Sequence, residues 1–159
     1  MNVWRVTRGA YCRSPADAFG GKGAAEAGGR WNSGGIAVAY SSQTWSLAIL
    51  EYLANLADRA LAPTDLVGVR ATLPDSAVGD ITKRVPNDWR AVPAPASPRA
   101  FGDRFIAEGR WLAALVPSVT LPDPSWAYER NVLVNPSHGR FMDVTYGGPW
   151  PFSLDARLR

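Results

Sequence analysis

Residues 36–58 read IAVAYSSQTWSLAILEYLANLAD, and this stretch decides the expected fold. Its first five residues are apolar up to a closing tyrosine, which predicts a buried strand over residues 36–40. Ser41 and Ser42 are residue types that commonly cap helices, and the apolar spacing after them predicts a helix over about residues 43–58. A strand joined directly to a helix indicates a fold that contains both.

Shorter segments on both sides extend this prediction. Strands are predicted at residues 3–6, 66–73, 131–134 and 141–146 and at the beginning of 111–121, and a second helix is predicted from Ser97-Pro98 to Gly109. Residues 8–29 and 74–97 are predicted as irregular loops because they lack periodicity or are rich in proline. The strands and helices do not alternate as βαβ units. We therefore expect an α+β fold with a mixed or antiparallel sheet, in one compact domain over residues 1–159.

The composition predicts a soluble, cytoplasmic protein. Hydrophobic residues make up 47% of the chain and charged residues 19%, as in globular proteins. No apolar run approaches the ~20 residues that span a membrane, and the N-terminus lacks the apolar core of a signal peptide. The single cysteine, Cys12, excludes an internal disulfide, and one cysteine with one histidine argues against a zinc site. Neither a membrane nor a metal is expected as a partner.

The net charge of +3 has an unusual source, because only Lys22 and Lys83 among the 17 basic residues are lysines. Arginine forks suit phosphates and carboxylates, although a GC-rich genome produces the same bias. The basic residues are scattered along the chain and form no dense run. Direct binding of nucleic acid is therefore not expected.

Three side chains outside the helices are candidates for chemistry, and each also has an ordinary structural explanation. Arg30 lies between two glycine pairs in GGRWNSGG at residues 28–35, where glycines would let a ligand approach the backbone; it could equally be a surface charge. Tyr40 closes a strand and could line a pocket or pack in the core. Ser118 follows a proline and could be a turn hydroxyl. The one histidine, His138, is interpreted as a turn residue between serine and glycine.

Glu51 is the fourth candidate, because it interrupts an apolar run within the first predicted helix. A carboxylate on that surface is at risk of burial, which is unfavourable without partners. Helical periodicity also places Glu51, Asn55 and Asp58 on one face. Periodicity alone favours a solvated stripe over a buried carboxylate.

The order of these features along the chain resembles the RES domain family. The matching features are GRWN at 29–32, a strand that ends in Tyr40, a glutamate in the next helix, VPS at 116–118, NVLVNP at 131–136 and the closing PFSLDARL at 151–158. The family is named for an arginine, a glutamate and a serine, which correspond to Arg30, Glu51 and Ser118. Tyr40 and Asn131 match two further recurrent positions. Residues 74–100 match least.

The resemblance implies a bacterial toxin with an ADP-ribosyltransferase-like fold, made beside an Xre-type helix-turn-helix antitoxin. Such proteins consume NAD⁺ as a substrate, without a metal, by breaking the nicotinamide–ribose bond. They pass the ADP-ribosyl group to water, phosphate or a protein. A ribonuclease-type toxin and a non-catalytic binding module are the competing functions.

The resemblance also implies roles for the matching residues. Glu51 would stabilise positive charge that develops on the ribose, and Arg30 would bind the pyrophosphate or a ribose oxygen. Tyr40 would stack on the nicotinamide ring, and Ser118 would orient the glutamate or bind the ligand. Together with Asn131, the residues Arg30, Tyr40 and Ser118 are the expected NAD⁺-binding set. The glycines around Arg30 would let the backbone pass close to the dinucleotide.

Overall fold

Seven strands form one mixed sheet in the part of the chain that the structure, a computed structural model, describes: residues 1–58, 63–124 and 127–158. The strands are β1 (Asn2–Arg8), β2 (Ala39–Ser42), β3 (Leu66–Thr72), β4 (Val78–Asp80), β5 (Ala113–Val116), β6 (Asn131–Val134) and β7 (Thr145–Pro151). The helices are α1 (Lys22–Ala27), α2 (Trp45–Ala54) and α3 (Ala96–Glu108). The strand order is β4-β5-β6-β2-β1-β3-β7, with β4 and β5 parallel and the other pairs antiparallel. The predicted α+β class with a mixed sheet is confirmed.

The sheet divides at its centre, where β1 and β2 separate. These two strands meet at one residue pair, Trp4 with Ser42, whereas β1 pairs along its length with β3 and β2 along its length with β6. A continued antiparallel register would place Val6 opposite Tyr40. Instead the side chain of Arg5 reaches across, and its Nη1 donates to the carbonyl of Tyr40 at 2.7 Å. The separation opens a gap between two halves of one sheet.

The strand β6 shows that the sheet is buried on both faces. Val132 and Val134 belong to one apolar cluster, while Leu133 belongs to a second cluster that contains Trp31 and Phe105. Alternate side chains of a strand point to opposite faces, so the two clusters cover opposite faces of the sheet. A strand buried on both faces has a nearly continuous apolar sequence, which is why residues 131–134 were predictable.

The helix α2 begins at a side-chain cap and packs against β1. The hydroxyl of Thr44 accepts from the backbone N–H of Leu47 at 3.1 Å, which satisfies one of the open donors at the helix start. At the other end, Nδ2 of Asn55 donates to the carbonyl of Glu51 at 2.8 Å and closes the last turn. Burial of one apolar side of the helix orients Glu51 toward the gap between β1 and β2.

Several predicted bounds are wrong, and tertiary contacts explain the differences. Ser41 and Ser42 are not helix caps, because pairing with β6 extends β2 through both of them. The strand predicted at 36–40 also begins later than expected, at Ala39, and the helix predicted to residue 58 ends at Ala54. The strand predicted at 141–146 is instead a 3₁₀ turn over Gly139–Asp143, and β7 begins at Thr145.

The two predicted loops contain regular structure. Residues 8–29 include α1 and a 3₁₀ turn over Pro15–Phe19, and the proline-rich segment 74–97 includes β4. The helix α3 begins at Ala96 and not at a Ser97 cap; the hydroxyl of Ser97 donates to Asp88 instead. No helix in the described ranges is long and apolar enough to span a membrane.

Candidate functional site

A cavity of about 580 Å³ lies where β1 and β2 separate. This volume is within the range of small-molecule sites. Both halves of the sheet, the helix α2 and several loops contribute to its wall, which includes Trp4, Arg5, Gly29, Arg30, Tyr40, Ser42, Glu51, Tyr52, Val92, Thr120 and Asn131. Among the described lining residues, the charged ones are two arginines, Arg5 and Arg30, and one carboxylate, Glu51. The balance of charge suits a ligand with an anionic part.

Glu51 is held in the cavity wall by three donors that converge on one carboxylate oxygen. Its Oε1 accepts from Ser118 Oγ at 2.5 Å, from Asn131 Nδ2 at 2.6 Å and from Thr120 Oγ1 at 3.0 Å. The other oxygen, Oε2, has no hydrogen-bond partner among the described residues and is the oxygen that remains for a ligand. The predicted solvated stripe is therefore wrong for Glu51, although Asn55 is exposed as that stripe requires.

A buried serine fixes the amide of Asn131. Ser42 is 2% exposed, and its hydroxyl donates to Asn131 Oδ1 at 2.8 Å. An amide whose oxygen accepts from Ser42 must direct its NH₂ group toward Glu51, so the hydrogen bonds determine the orientation of the amide. Sequence reasoning missed this role because Ser42 was interpreted as a helix cap.

Ser118 lies behind Glu51 and outside the cavity wall. It is 0% exposed, and its Oγ accepts from the backbone N–H of Thr120 at 3.1 Å while donating to Glu51. A hydroxyl can donate only one hydrogen bond, and Ser118 donates it to the carboxylate of Glu51. Of the two roles predicted for Ser118, the structure is consistent with orienting Glu51. Thr120, which the sequence analysis missed, lines the cavity itself and was detectable only as a second hydroxyl two residues later.

Arg30 lines the cavity and is anchored to a neighbouring loop. Its Nη1 donates to the carbonyls of Trp89 at 2.6 Å and Ala91 at 2.9 Å. Burial lowers the pKa of the guanidinium from its ordinary value, while the charge of Glu51 acts in the opposite direction. The alternative of a plain surface charge is wrong. Within the described chain its Nε and Nη2 have no hydrogen-bond partner, so this edge of the fork is open to a ligand.

Tyr40 positions the loop that carries Arg30. Its hydroxyl accepts from the N–H of Trp31 at 2.9 Å and donates to Asn32 Oδ1 at 2.8 Å. Asn32 is 0% exposed, and its Nδ2 donates to backbone carbonyls on both sides of the loop. Burial raises the pKa of Tyr40 to about 12. The ring of Tyr40 lines the cavity, and its polar end is bonded to the loop.

The glycine next to Arg30 serves this contact with Tyr40. A Cβ placed on Gly29 would lie 2.5 Å from the Tyr40 hydroxyl and 2.9 Å from Asn32 Oδ1. We expected the glycines to let a ligand approach the backbone. At Gly29 the close neighbour is instead a side chain of the protein.

The helix α3 supports the same loop from the other side. Its Asp103 carboxylate accepts from both the backbone N–H and the hydroxyl of Ser33, at 2.8 and 2.6 Å. A Cβ on Gly102 would lie 1.9 Å from the carbonyl oxygen of Trp31, so only glycine permits this approach of helix to loop. Arg30 is thus mounted on a loop that is bonded at several points.

His138 is separate from these residues. It caps the 3₁₀ turn after β6, where its Nδ1 accepts from the N–H of Arg140 at 3.1 Å, and the predicted turn role is confirmed. In the ranges 1–58, 63–124 and 127–158, no group of three or more His, Cys, Asp or Glu side chains is arranged to hold a metal ion.

Comparison with known proteins identifies relatives along the whole chain. The family model of the RES domain matches residues 2–155. A protein named Toxin Res from Yersinia enterocolitica is 32% identical over an alignment of 162 residues that covers 100% of both chains. Another Toxin Res, from Photorhabdus laumondii, is 31% identical over 99% of this chain and 97% of the relative. A "Prs ADP-ribosylating toxin" from Sphingobium sp. is 33% identical over 86% of this chain and 83% of the relative.

Proposed function

Because the chain belongs to the RES domain family, we propose that it is a toxin that consumes NAD⁺ by breaking the nicotinamide–ribose bond. The names of three relatives support the role as a toxin, and the name of the Sphingobium relative supports transfer of ADP-ribose. The observation that carries the proposal is the fixed carboxylate of Glu51 in a cavity that also contains two arginines.

The chemistry needs a carboxylate that does not move. When the bond between ribose C1 and the nicotinamide nitrogen breaks, its electron pair leaves with the nitrogen and nicotinamide departs neutral. Positive charge then develops on the sugar, as in glycoside cleavage. Three donors hold Oε1 of Glu51, so Oε2 can be presented to that charge, or to a ribose hydroxyl, without reorganisation.

The rest of the substrate fits the remaining groups. The open edge of the Arg30 fork can donate two hydrogen bonds to a phosphate, a geometry that guanidinium groups favour. The ring of Tyr40 offers an aromatic surface to the nicotinamide. An oxygen of water, of phosphate or of a protein side chain then attacks C1; water or a hydroxyl loses its proton to solvent, whereas an anionic phosphate oxygen has no proton to lose.

A serine nucleophile is not part of this proposal. Ser118 is fully buried behind Glu51, and its proton is directed to the carboxylate. The hydroxyl therefore serves to position Glu51. The cavity also lacks the histidine that general acid–base cleavage of RNA commonly uses, because the one histidine of the chain lies in the turn after β6.

The test is to incubate purified protein with NAD⁺ and to measure free nicotinamide. Parallel reactions contain buffer alone, added phosphate, or cell lysate with NAD⁺ labelled in the adenosine part. We expect nicotinamide release, and the reaction that accelerates it identifies the acceptor. Cleavage of purified RNA with unchanged NAD⁺ would support the nuclease function instead. If the protein neither consumes NAD⁺ nor cleaves RNA, the result would support a binding module.

We further propose that an Xre-type antitoxin binds over the cavity near residues 20–35. Support comes from the family and from Val92, an apolar residue of the cavity wall that is 80% exposed. The neighbouring gene product is expected to co-purify with the toxin and to suppress NAD⁺ turnover. A complex that retains full turnover would show that the partner does not act by covering the cavity.

A further inference from the structure

Arg5 lies in the cavity wall without a carboxylate partner. It projects from β1 at the point where β1 and β2 separate, and its Nη1 donates to the carbonyl of Tyr40 at 2.7 Å. Within the described chain, no Asp or Glu forms an ion pair with it, and its buried Nε has no hydrogen-bond partner. Burial lowers its pKa, and the groups that act in the opposite direction are Tyr40 and Cys12, neither of which is a carboxylate.

Arg5 is only partly buried, but its Nε is buried, and a partly buried cation without a counter-ion is unfavourable unless a ligand supplies one. An arginine side chain does not relieve the penalty by losing its proton, because its pKa stays too high. The carboxylate of Glu51, the acidic group of the cavity wall, is already bonded to three neutral donors. The two arginines and one glutamate of the cavity wall therefore leave a net positive charge.

Arg5 and Arg30 stand at opposite ends of Tyr40. Arg5 is bonded to the backbone carbonyl of that tyrosine, and the loop of Arg30 is bonded to its hydroxyl through Trp31. Both arginines line the same cavity, and the carbonyls of Trp89 and Ala91 hold the guanidinium of Arg30 in place. Two fixed guanidinium groups suit a diphosphate better than a single charge does.

We propose that Arg5 is a second phosphate-binding residue, which shares the diphosphate of a dinucleotide with Arg30. This inference rests on the proposed function. Nη1 remains on the Tyr40 carbonyl, and Nη2 is the nitrogen that donates to a phosphate oxygen. The simpler alternative is that Arg5 only satisfies the Tyr40 carbonyl where the strands separate, in which case it affects stability but not affinity.

Three variants distinguish the two roles. Arg5→Gln removes the charge, Arg5→Lys retains the charge without the fork, and Arg70→Gln is the matched control. Arg70 is also partly buried with an unbonded Nε, but it lies over the ring of Trp150 and outside the cavity wall. Calorimetry gives the Kd of ADP-ribose and of inorganic pyrophosphate, and kinetics give KM and kcat for NAD⁺.

We expect Arg5→Gln to raise the Kd of ADP-ribose and the KM of NAD⁺ by about 10- to 100-fold, the loss of one charge-assisted hydrogen bond. Its kcat should change much less, and Arg70→Gln should match the wild type in all three. Arg5→Lys should lie between them. Equal affinities for wild type and Arg5→Gln, an equal loss in Arg70→Gln, or a wild type that binds neither probe would overturn the proposal.

The two proposals fail separately. A protein that binds ADP-ribose through Arg5 but leaves NAD⁺ intact would contradict the proposed function and retain this site. A protein that consumes NAD⁺ with an unchanged KM in Arg5→Gln would support the proposed function and contradict the role of Arg5. If Arg5→Gln does not fold, the same decision rests on Arg5→Lys, whose affinity must then fall measurably for the proposal to stand.

Discussion

The variant Tyr40→Phe separates a positioning role of the hydroxyl from a stacking role of the ring. The hydroxyl bonds the N–H of Trp31 at 2.9 Å and Oδ1 of Asn32 at 2.8 Å, and both residues are almost fully buried. Leaving a buried donor or acceptor unsatisfied costs about 1–3 kcal/mol, and two such groups lose their partner, so we expect the free energy of unfolding to fall by about 2–6 kcal/mol. NAD⁺ turnover should fall as well, because the loop that carries Arg30 loses its anchor.

A double-mutant cycle with Gly29→Ala tests the geometry behind this prediction. In the wild type, a Cβ on Gly29 would lie 2.5 Å from the Tyr40 hydroxyl, so the single variant should be destabilised. Removing the hydroxyl relieves that contact, and the two changes should be non-additive by about 0.5–3 kcal/mol. Urea unfolding of the four proteins measures the coupling. Additive effects, or a Tyr40→Phe protein as stable and active as the wild type, would refute the positioning role.

Other changes have equally specific outcomes. Ser118→Ala removes one of three donors to Glu51 and should lower turnover by about tenfold and stability by about 1–3 kcal/mol; steady-state kinetics that match the wild type would contradict this role. Arg30→Lys keeps the charge but loses the fork, so turnover should fall by about 10- to 100-fold, with a lower melting temperature because Ala91 loses a donor; unchanged kinetics would remove Arg30 from the site. Burial raises the pKa of Tyr40 to about 12, so the folded protein keeps a proton that the unfolded chain loses near pH 10. The stabilisation from this proton is fully present below pH 10. The free energy of unfolding should therefore fall by about 3 kcal/mol between pH 10 and 12. Unfolding followed across that range should show a smaller loss in Tyr40→Phe than in the wild type; some loss remains in the variant because burial also raises the pKa of Tyr52 and Tyr146.

The parts of the fold that were predictable have strong local signals. The apolar run at 131–134 fits a strand buried on both faces, and the helix after Thr44 has an apolar run of ten residues that only Ser46 and Glu51 interrupt. The errors arose where two local signals competed. Ser42 and Thr44 are both good caps, and pairing of β2 with β6 decided between them. Phe141 and Val144 suggested a strand, but their spacing of three residues fits the 3₁₀ turn that packs them on the core.

The site itself was predictable only through family motifs. Glu51, Ser118 and Asn131 come from α2, from the loop after β5 and from β6, and no spacing rule brings them together. The contact of Ser42 with Asn131 depends on the pairing of β2 with β6, and the position of Arg5 depends on the separation of β1 from β2; both are properties of the assembled sheet. A sequence pattern contains no signal for such a gap. The gap is nevertheless what gives the cavity its place.

The variant Glu51→Gln tests the central claim most directly. Glutamine can place its carbonyl oxygen where Oε1 accepts from Ser118, Thr120 and Asn131, so the fold should be retained while the charge is lost. Nicotinamide release from NAD⁺ should fall by at least about 100-fold, a loss typical of removing a fixed electrostatic group, with a melting temperature close to that of the wild type. A folded Glu51→Gln protein that releases nicotinamide at the wild-type rate would contradict the account.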